Sequence, residues 1–173
     1  MTPALRKFGL TAHVSSSLGW FGSVTAFLAL AVSGLTSRDA ELVRAVYLAM
    51  NLIGWSVIVP LSVASLLTGL VQSLGTPWGL FRHYWVVIKL LITAFATILL
   101  LVHMQPVGHL ARVVATATLA GGELAGLRIQ LVADAAAALA ALLVAATLSV
   151  YKPRGLTQYG RRKQREERGE PHH

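Results

Sequence analysis

Between Tyr84 and Val102, nineteen consecutive residues carry a single charge, Lys89. As a helix the run is about 28 Å long at about 1.5 Å per residue, the thickness of one hydrocarbon core. Such a segment leaves few options, because in lipid every backbone N–H and C=O must be bonded within the protein. Three more long apolar runs accompany it, so that helices are expected over about 9–35, 42–70, 82–104 and 127–151. With 55% hydrophobic and 13% charged residues and a mean hydropathy of +0.64, the composition is that of a membrane protein. The expected fold is all-α: an integral-membrane, up-down four-helix bundle over residues 1–151.

The first run could be mistaken for a signal peptide. It is too long for an apolar signal core, lacks a small-residue cleavage site, and three more spans follow it. The stretch 107–119 is mildly apolar around Arg112 and reads as an interfacial helix, broken after it by Gly121–Gly122. Pro60 is expected to kink the second helix, and Pro106 to stop the third near His103–Met104. Gly75, Pro77 and Gly79 mark a tight turn before the third helix, where Trp78, Tyr84 and Trp85 form an aromatic belt.

Seven of the fifteen Lys and Arg residues follow Tyr151. The segment 152–173 is therefore read as a basic, disordered cytoplasmic tail, not as a nucleic-acid-binding face. Charge also sets the expected orientation. Arg6, Lys7, Arg82 and the seven tail charges fall on one side, ten in all, against Arg38, Arg44, Arg112 and Arg128 on the other. That bias places both termini in the cytoplasm and the protein in the inner (plasma) membrane. The bilayer is the expected partner, with a homodimer or a larger membrane complex as further options and no nucleic acid.

Cysteine is absent, which excludes disulfides, thiolate metal sites, iron–sulfur clusters and haem attached through thioethers. No phosphate-binding loop, dinucleotide fingerprint, zinc-protease motif or nucleophile elbow is present. Chemistry is left to a few polar residues, which the topology sorts into two layers.

The cytoplasmic layer holds His13, His83 and Lys89. Steps of three and four put Arg82, Trp85, Lys89, Thr93, Ala96, Leu100 and His103 on one helix face, against an apolar face of Val87, Leu91, Ile98 and Val102. Lys89 either snorkels to the nearby interface or faces the bundle interior. Ser15, Gly19 and Ser23 form a small-residue stripe beside His13. A b-type haem needs an imidazole on iron, small residues to admit the macrocycle and a cation for the propionates. His13, the stripe and Lys89 or Arg82 match those needs, with His83 as a second axial candidate. The competing reading leaves His13 and His83 as interfacial histidines with no ligand.

The outer layer holds Asn51, His103, His109 and Asp134, with Gln130 and Arg128 close by in sequence. Imidazoles beside Met50 and Met104 suit copper, which would draw on His103 and His109. The alternatives are a buried hydrogen-bonded network of Asn51, His103 and Asp134 that sets helix register, or a proton path through Asp134. A fourth reading is a cofactor-free accessory subunit whose polar residues only fix packing. Whether the protein is an enzyme stays open.

His13 on the first helix, Gly19–Trp20 and Gly22 soon after it, and Trp85-x-x-x-Lys89 opening the third helix together form a pattern. It resembles a broad set of small bacterial membrane proteins. The set includes integral membrane proteins of uncharacterised families, the copper resistance D family and the haem-containing membrane protoporphyrinogen oxidases. Residues 67–107 look most like the uncharacterised group. The resemblance to the oxidases implies bound b-type haem, with His13 and Lys89 as the critical pair.

Overall fold

The computed structural model describes residues 2–75, 81–116, 122–151 and 155–168. Helix α1 spans Pro3–Thr36, α2 Ala40–Ile53, α3 Val59–Gly75, α4 Tyr84–Thr116, α5 Gly122–Tyr151 and α6 Gln158–Arg168. A π-helical turn, Gly54–Ile58, joins α2 to α3, so Ala40–Gly75 runs as one long element. Four elements are long and apolar enough to cross a membrane: Pro3–Thr36, Ala40–Gly75, Tyr84–Val114 and Ala125–Tyr151.

The four pack as a ring. α1 touches α2, α3 and α5, and α4 touches the same three, so α1 and α4 occupy opposite corners. The core they enclose is built from Trp20, Phe27, Tyr47, Met50, Met104, Leu110 and Leu131. Leu91, Ile98 and Val102 on α4 are exposed and Trp85 is buried, as read from the sequence, while the most buried later positions, Thr97 and Met104, lie one residue past Ala96 and His103 of the expected inward stripe.

Every span is longer than expected, and local chemistry explains why. The Thr2 side chain caps α1 by accepting from Leu5 N–H, and Pro3 fills the first helical position, where its missing N–H costs nothing. Asp39 caps α2 by accepting from the N–H groups of Glu41 (2.9 Å) and Leu42 (3.5 Å). Pro106 does not end α4, which runs on to Thr116, and in an apolar setting a packed helix tolerates the lost bond. The interfacial helix expected over 107–119 is thus, as far as Thr116, a continuation of α4. Pro77, Trp78, Gly79, Gly121 and residues 117–119 lie outside the described residues.

Pro60 acts differently from a simple kink. The helix widens one turn before it, with Val59 N–H donating to the Gly54 carbonyl five residues back. Through this turn the buried positions recur at steps of four: Met50, Gly54, Ile58, Ser62. Trp55, next to the buried Gly54, is half-exposed. Gly54 also admits α4 closely, since a Cβ there would lie 2.6 Å from Met104 Sδ.

The tail is not wholly irregular. Residues 155–157 run back along 82–84, with Thr157 N–H donating to the Arg82 carbonyl (3.1 Å) and an antiparallel bridge pairing His83 with Leu156. Helix α6 follows. The expectation of disorder over 152–173 weighed charge alone and missed this strand-like docking. His172 and His173 lie outside the described residues.

Candidate functional site

The topology brings polar groups together at two levels of the bundle, one toward each end.

At the level of α1's first half, His13 leans on α3. Its Nδ1 lies 3.1 Å from the Ser65 carbonyl and 3.2 Å from Thr68 Oγ1. A carbonyl can only accept, so Nδ1 carries a proton and donates it. Thr68 in turn donates to the Ala64 carbonyl at 2.6 Å. The ring lies against Gly69, where an added Cβ would stand 3.0 Å from His13 Cε1. One turn on, Ser17 and Ser65 hydroxyls share a hydrogen bond of 2.7 Å. Gly19 meets the Leu61 side chain. Ser17 and Gly19 therefore close the α1–α3 seam, whereas Ser15 of the expected stripe is exposed.

Lys89 belongs to the interior. It is half-buried, and its Nζ sits 5.7 Å from the Trp85 ring centroid. His13 on α1 and Lys89 on α4 stand at opposite corners of the ring. His83 lies before α4, its backbone bridged to Leu156 and its ring 6.4 Å from that of Trp85.

The second level is built on α4 and α5. His103 Nδ1 lies 2.9 Å from Asp134 Oδ2. The His103 side chain is 13% exposed and that of Asp134 35%. Nδ1 donates to the carboxylate, and Nε2 is buried with no hydrogen-bond partner among the described residues. His103 stands eleven residues before Val114, and Asp134 nine after Ala125. Those separations are about 16 and 14 Å along helices about 46 and 40 Å long, each longer than a hydrocarbon core about 30 Å thick. The sequence places Asp134 only about 10 Å in, because both helices begin or end beyond their expected limits.

Asn51 is not bonded to this pair. It is half-buried on α2 facing α4 at Gly108, where an added Cβ would be 3.5 Å from Asn51 Oδ1. His109 is exposed. With α4 unbroken at Pro106, a six-residue separation leaves His103 and His109 about 120° apart around the helix. Among the described residues no three His, Asp or Glu side chains cluster as a metal set. Gln130 is exposed as well.

Sequence reasoning missed Tyr47. It is 1% exposed, packs over Gly34 of α1, and carries the Arg128 guanidinium 5.7 Å from its ring. The Tyr47 hydroxyl and Arg128 Nε are both buried without a hydrogen-bond partner among the described residues. The available signal was Gly34, a small residue on the α1 face that meets α2.

No protein-family model, curated protein or solved structure matches this chain.

Proposed function

We propose that the chain is a multi-pass inner-membrane protein, both termini cytoplasmic, whose working centre is an intramembrane proton-handling pair, His103 and Asp134. The observation that carries the reading is the 2.9 Å contact between His103 Nδ1 and Asp134 Oδ2, both on membrane-length apolar helices. Ionisable side chains are costly in the hydrocarbon region, and His–Asp chains there are the usual means of holding and passing protons. The chemistry balances simply. A proton taken at Nε2 makes an imidazolium facing a carboxylate. The Nδ1 proton then passes to Oδ2, leaving a neutral imidazole beside a carboxylic acid. The pair's net charge is the same before and after that internal step, which keeps it cheap in a low-dielectric setting.

The test is proton flux into liposomes holding the purified protein, followed with a trapped pH-sensitive dye. Asp134→Asn keeps the size and a hydrogen bond while removing the proton-accepting charge. Flux above empty liposomes that Asp134→Asn abolishes supports the reading. Flux equal in the two proteins, or absent from the wild type under an imposed gradient, overturns it.

A second reading has its own observation. His13 Nδ1 donates to a backbone carbonyl, the arrangement that fixes the tautomer of a ligating histidine and leaves Nε2 for a metal. This supports the resemblance to haem-binding membrane proteins. The fit is partial. The donor chemistry suits haem iron, but the α1–α3 seam is closed by Ser17–Ser65 and Gly19–Leu61, so a macrocycle would have to lie outside that seam. His83, the second candidate ligand, lies before α4 with its ring 6.4 Å from that of Trp85. A reduced-minus-oxidised absorption spectrum of protein expressed with added haem decides it. Sharp α and β bands lost in His13→Ala support haem, and a flat spectrum removes it.

A further inference from the structure

Helix α6 is held in place by contacts that have nothing to do with its charges. Thr157 Oγ1 accepts from Gly160 N–H at 3.0 Å, and the Thr157 hydroxyl also donates to the Phe81 carbonyl. Gly160 is buried against the Arg82 carbonyl so tightly that a Cβ there would collide with it. These contacts fasten the start of α6 to the residues that lead into α4. Phe81 (59% exposed), Tyr84 (49%) and Tyr159 (56%) stand open around the joint, as aromatic residues do at a bilayer interface.

The position decides what the charges meet. Arg161, Arg162 and Arg165 are exposed and, with Gln158, line one shallow concavity. Arg162 shares its charge with Glu166, Nε to Oε1 3.1 Å. Arg161 and Arg165 form no ion pair among the described residues. A guanidinium is a planar fork of donors that matches phosphate oxygens in pairs. We propose that α6 is a docking surface for the phosphate headgroups of anionic phospholipids in the leaflet around the α4 entry. Charge complementarity names the occupant: a cluster of arginines fixed beside an aromatic belt meets the negative surface of its own membrane. This surface is independent of the His103–Asp134 pair, which joins α4 to α5.

The experiment uses the full chain in nanodiscs of phosphatidylcholine alone or with phosphatidylglycerol added. Amide hydrogen exchange is followed over 158–168. Exchange slows in the anionic discs, and the slowing disappears at about 1 M salt, where screening falls to about 3 Å. Each arginine is expected to contribute about fivefold to association with an anionic surface, so Arg161→Gln/Arg162→Gln/Arg165→Gln together remove the lipid dependence. Gly160→Val, which unseats α6 but keeps every arginine, also removes it. Equal exchange in the two disc types overturns the proposal. So does a lipid effect that survives either variant. Equal slowing by inorganic phosphate in neutral discs overturns it too, since the site would then take a soluble anion.

Discussion

Arg128 on α5 reaches the ring of Tyr47 on α2, its guanidinium carbon 5.7 Å from the centroid, while the Tyr47 hydroxyl has no hydrogen-bond partner among the described residues. The ring and the hydroxyl therefore contribute with opposite signs. The ring fills the core and holds a cation, and the hydroxyl is a desolvated polar group. Tyr47→Phe is expected to leave the bundle as stable as the wild type or up to about 1 kcal/mol more stable. Tyr47→Ala is expected to cost about 3–5 kcal/mol through the cavity it opens. Denaturation in mixed micelles with added SDS reads both. A Tyr47→Phe loss above about 1 kcal/mol would show that the hydroxyl has a partner in the membrane.

His103 and Asp134 should behave as one unit. Either His103→Ala or Asp134→Ala leaves an uncompensated polar partner and should cost about 2 kcal/mol, below the range for a sealed pair because the Asp134 side chain is 35% exposed. The double exchange to apolar residues should recover most of that loss. The same micelle titration, run as a double-mutant cycle, gives the coupling. Additive losses would mean that the two side chains do not share a proton.

Much of this was legible from sequence, and the limits have physical causes. The four spans follow from apolar run length alone, and the outward face of α4 from a period of 3.6. Both signals are local. Sequence also grouped His103 with Asp134, because an up-down order fixes which helix ends share a level. It could not place Asn51 at Gly108 rather than on His103, since that depends on rotations of a few tens of degrees about each axis. The π turn was invisible for a related reason. One extra residue in a turn shifts every later side chain by about 100°, and nothing in Gly54–Ile58 apart from the following Pro60 announces it. Helix α6 was missed because its charge argued for solvent, whereas its seat is the backbone pairing of 155–157 with 82–84.

Gly54 and Met104 supply a sharper packing test. A Cβ at 54 would stand 2.6 Å from Met104 Sδ, so Gly54→Ala forces the thioether aside and is expected to cost about 1–3 kcal/mol. Met104→Ala alone opens a cavity costing about 2–5 kcal/mol. In the double variant the new methyl partly fills the space that the thioether leaves, so the combined loss should be smaller than the sum. Strict additivity would place the two residues out of contact.

Gly69 tests whether His13 is held by α3. A methyl at 69 would stand 3.0 Å from His13 Cε1, and the ring cannot retreat without lengthening its bonds to Ser65 and Thr68. Gly69→Ala is therefore expected to weaken both bonds and to shift the His13 ring ¹⁵N resonances, while Leu67→Ala, on an exposed position, leaves them in place. Unchanged His13 signals in Gly69→Ala would separate the ring from α3.

The π turn makes the least intuitive prediction. A single π turn in an α-helix amounts to one inserted residue, so deleting one residue within it restores ordinary α-helical rise. The buried series Met50, Gly54, Ile58, Ser62 would then close up by one, and α2 and α3 would each keep the face it now presents. Deletion of Ser56, which is exposed, is therefore expected to leave a folded protein in which Ser17 still bonds Ser65. Deletion of Val63, also exposed but inside regular α-helix, turns all that follows by about 100° and carries His13's partners, Ser65 and Thr68, off the seam. Expression and monodispersity in mild detergent should stay near wild type for the first and collapse for the second. Equal failure of both would mean that the π turn is held by its own contacts, Gly54 against Met104 above all, and is not a spacer between two correctly phased helices.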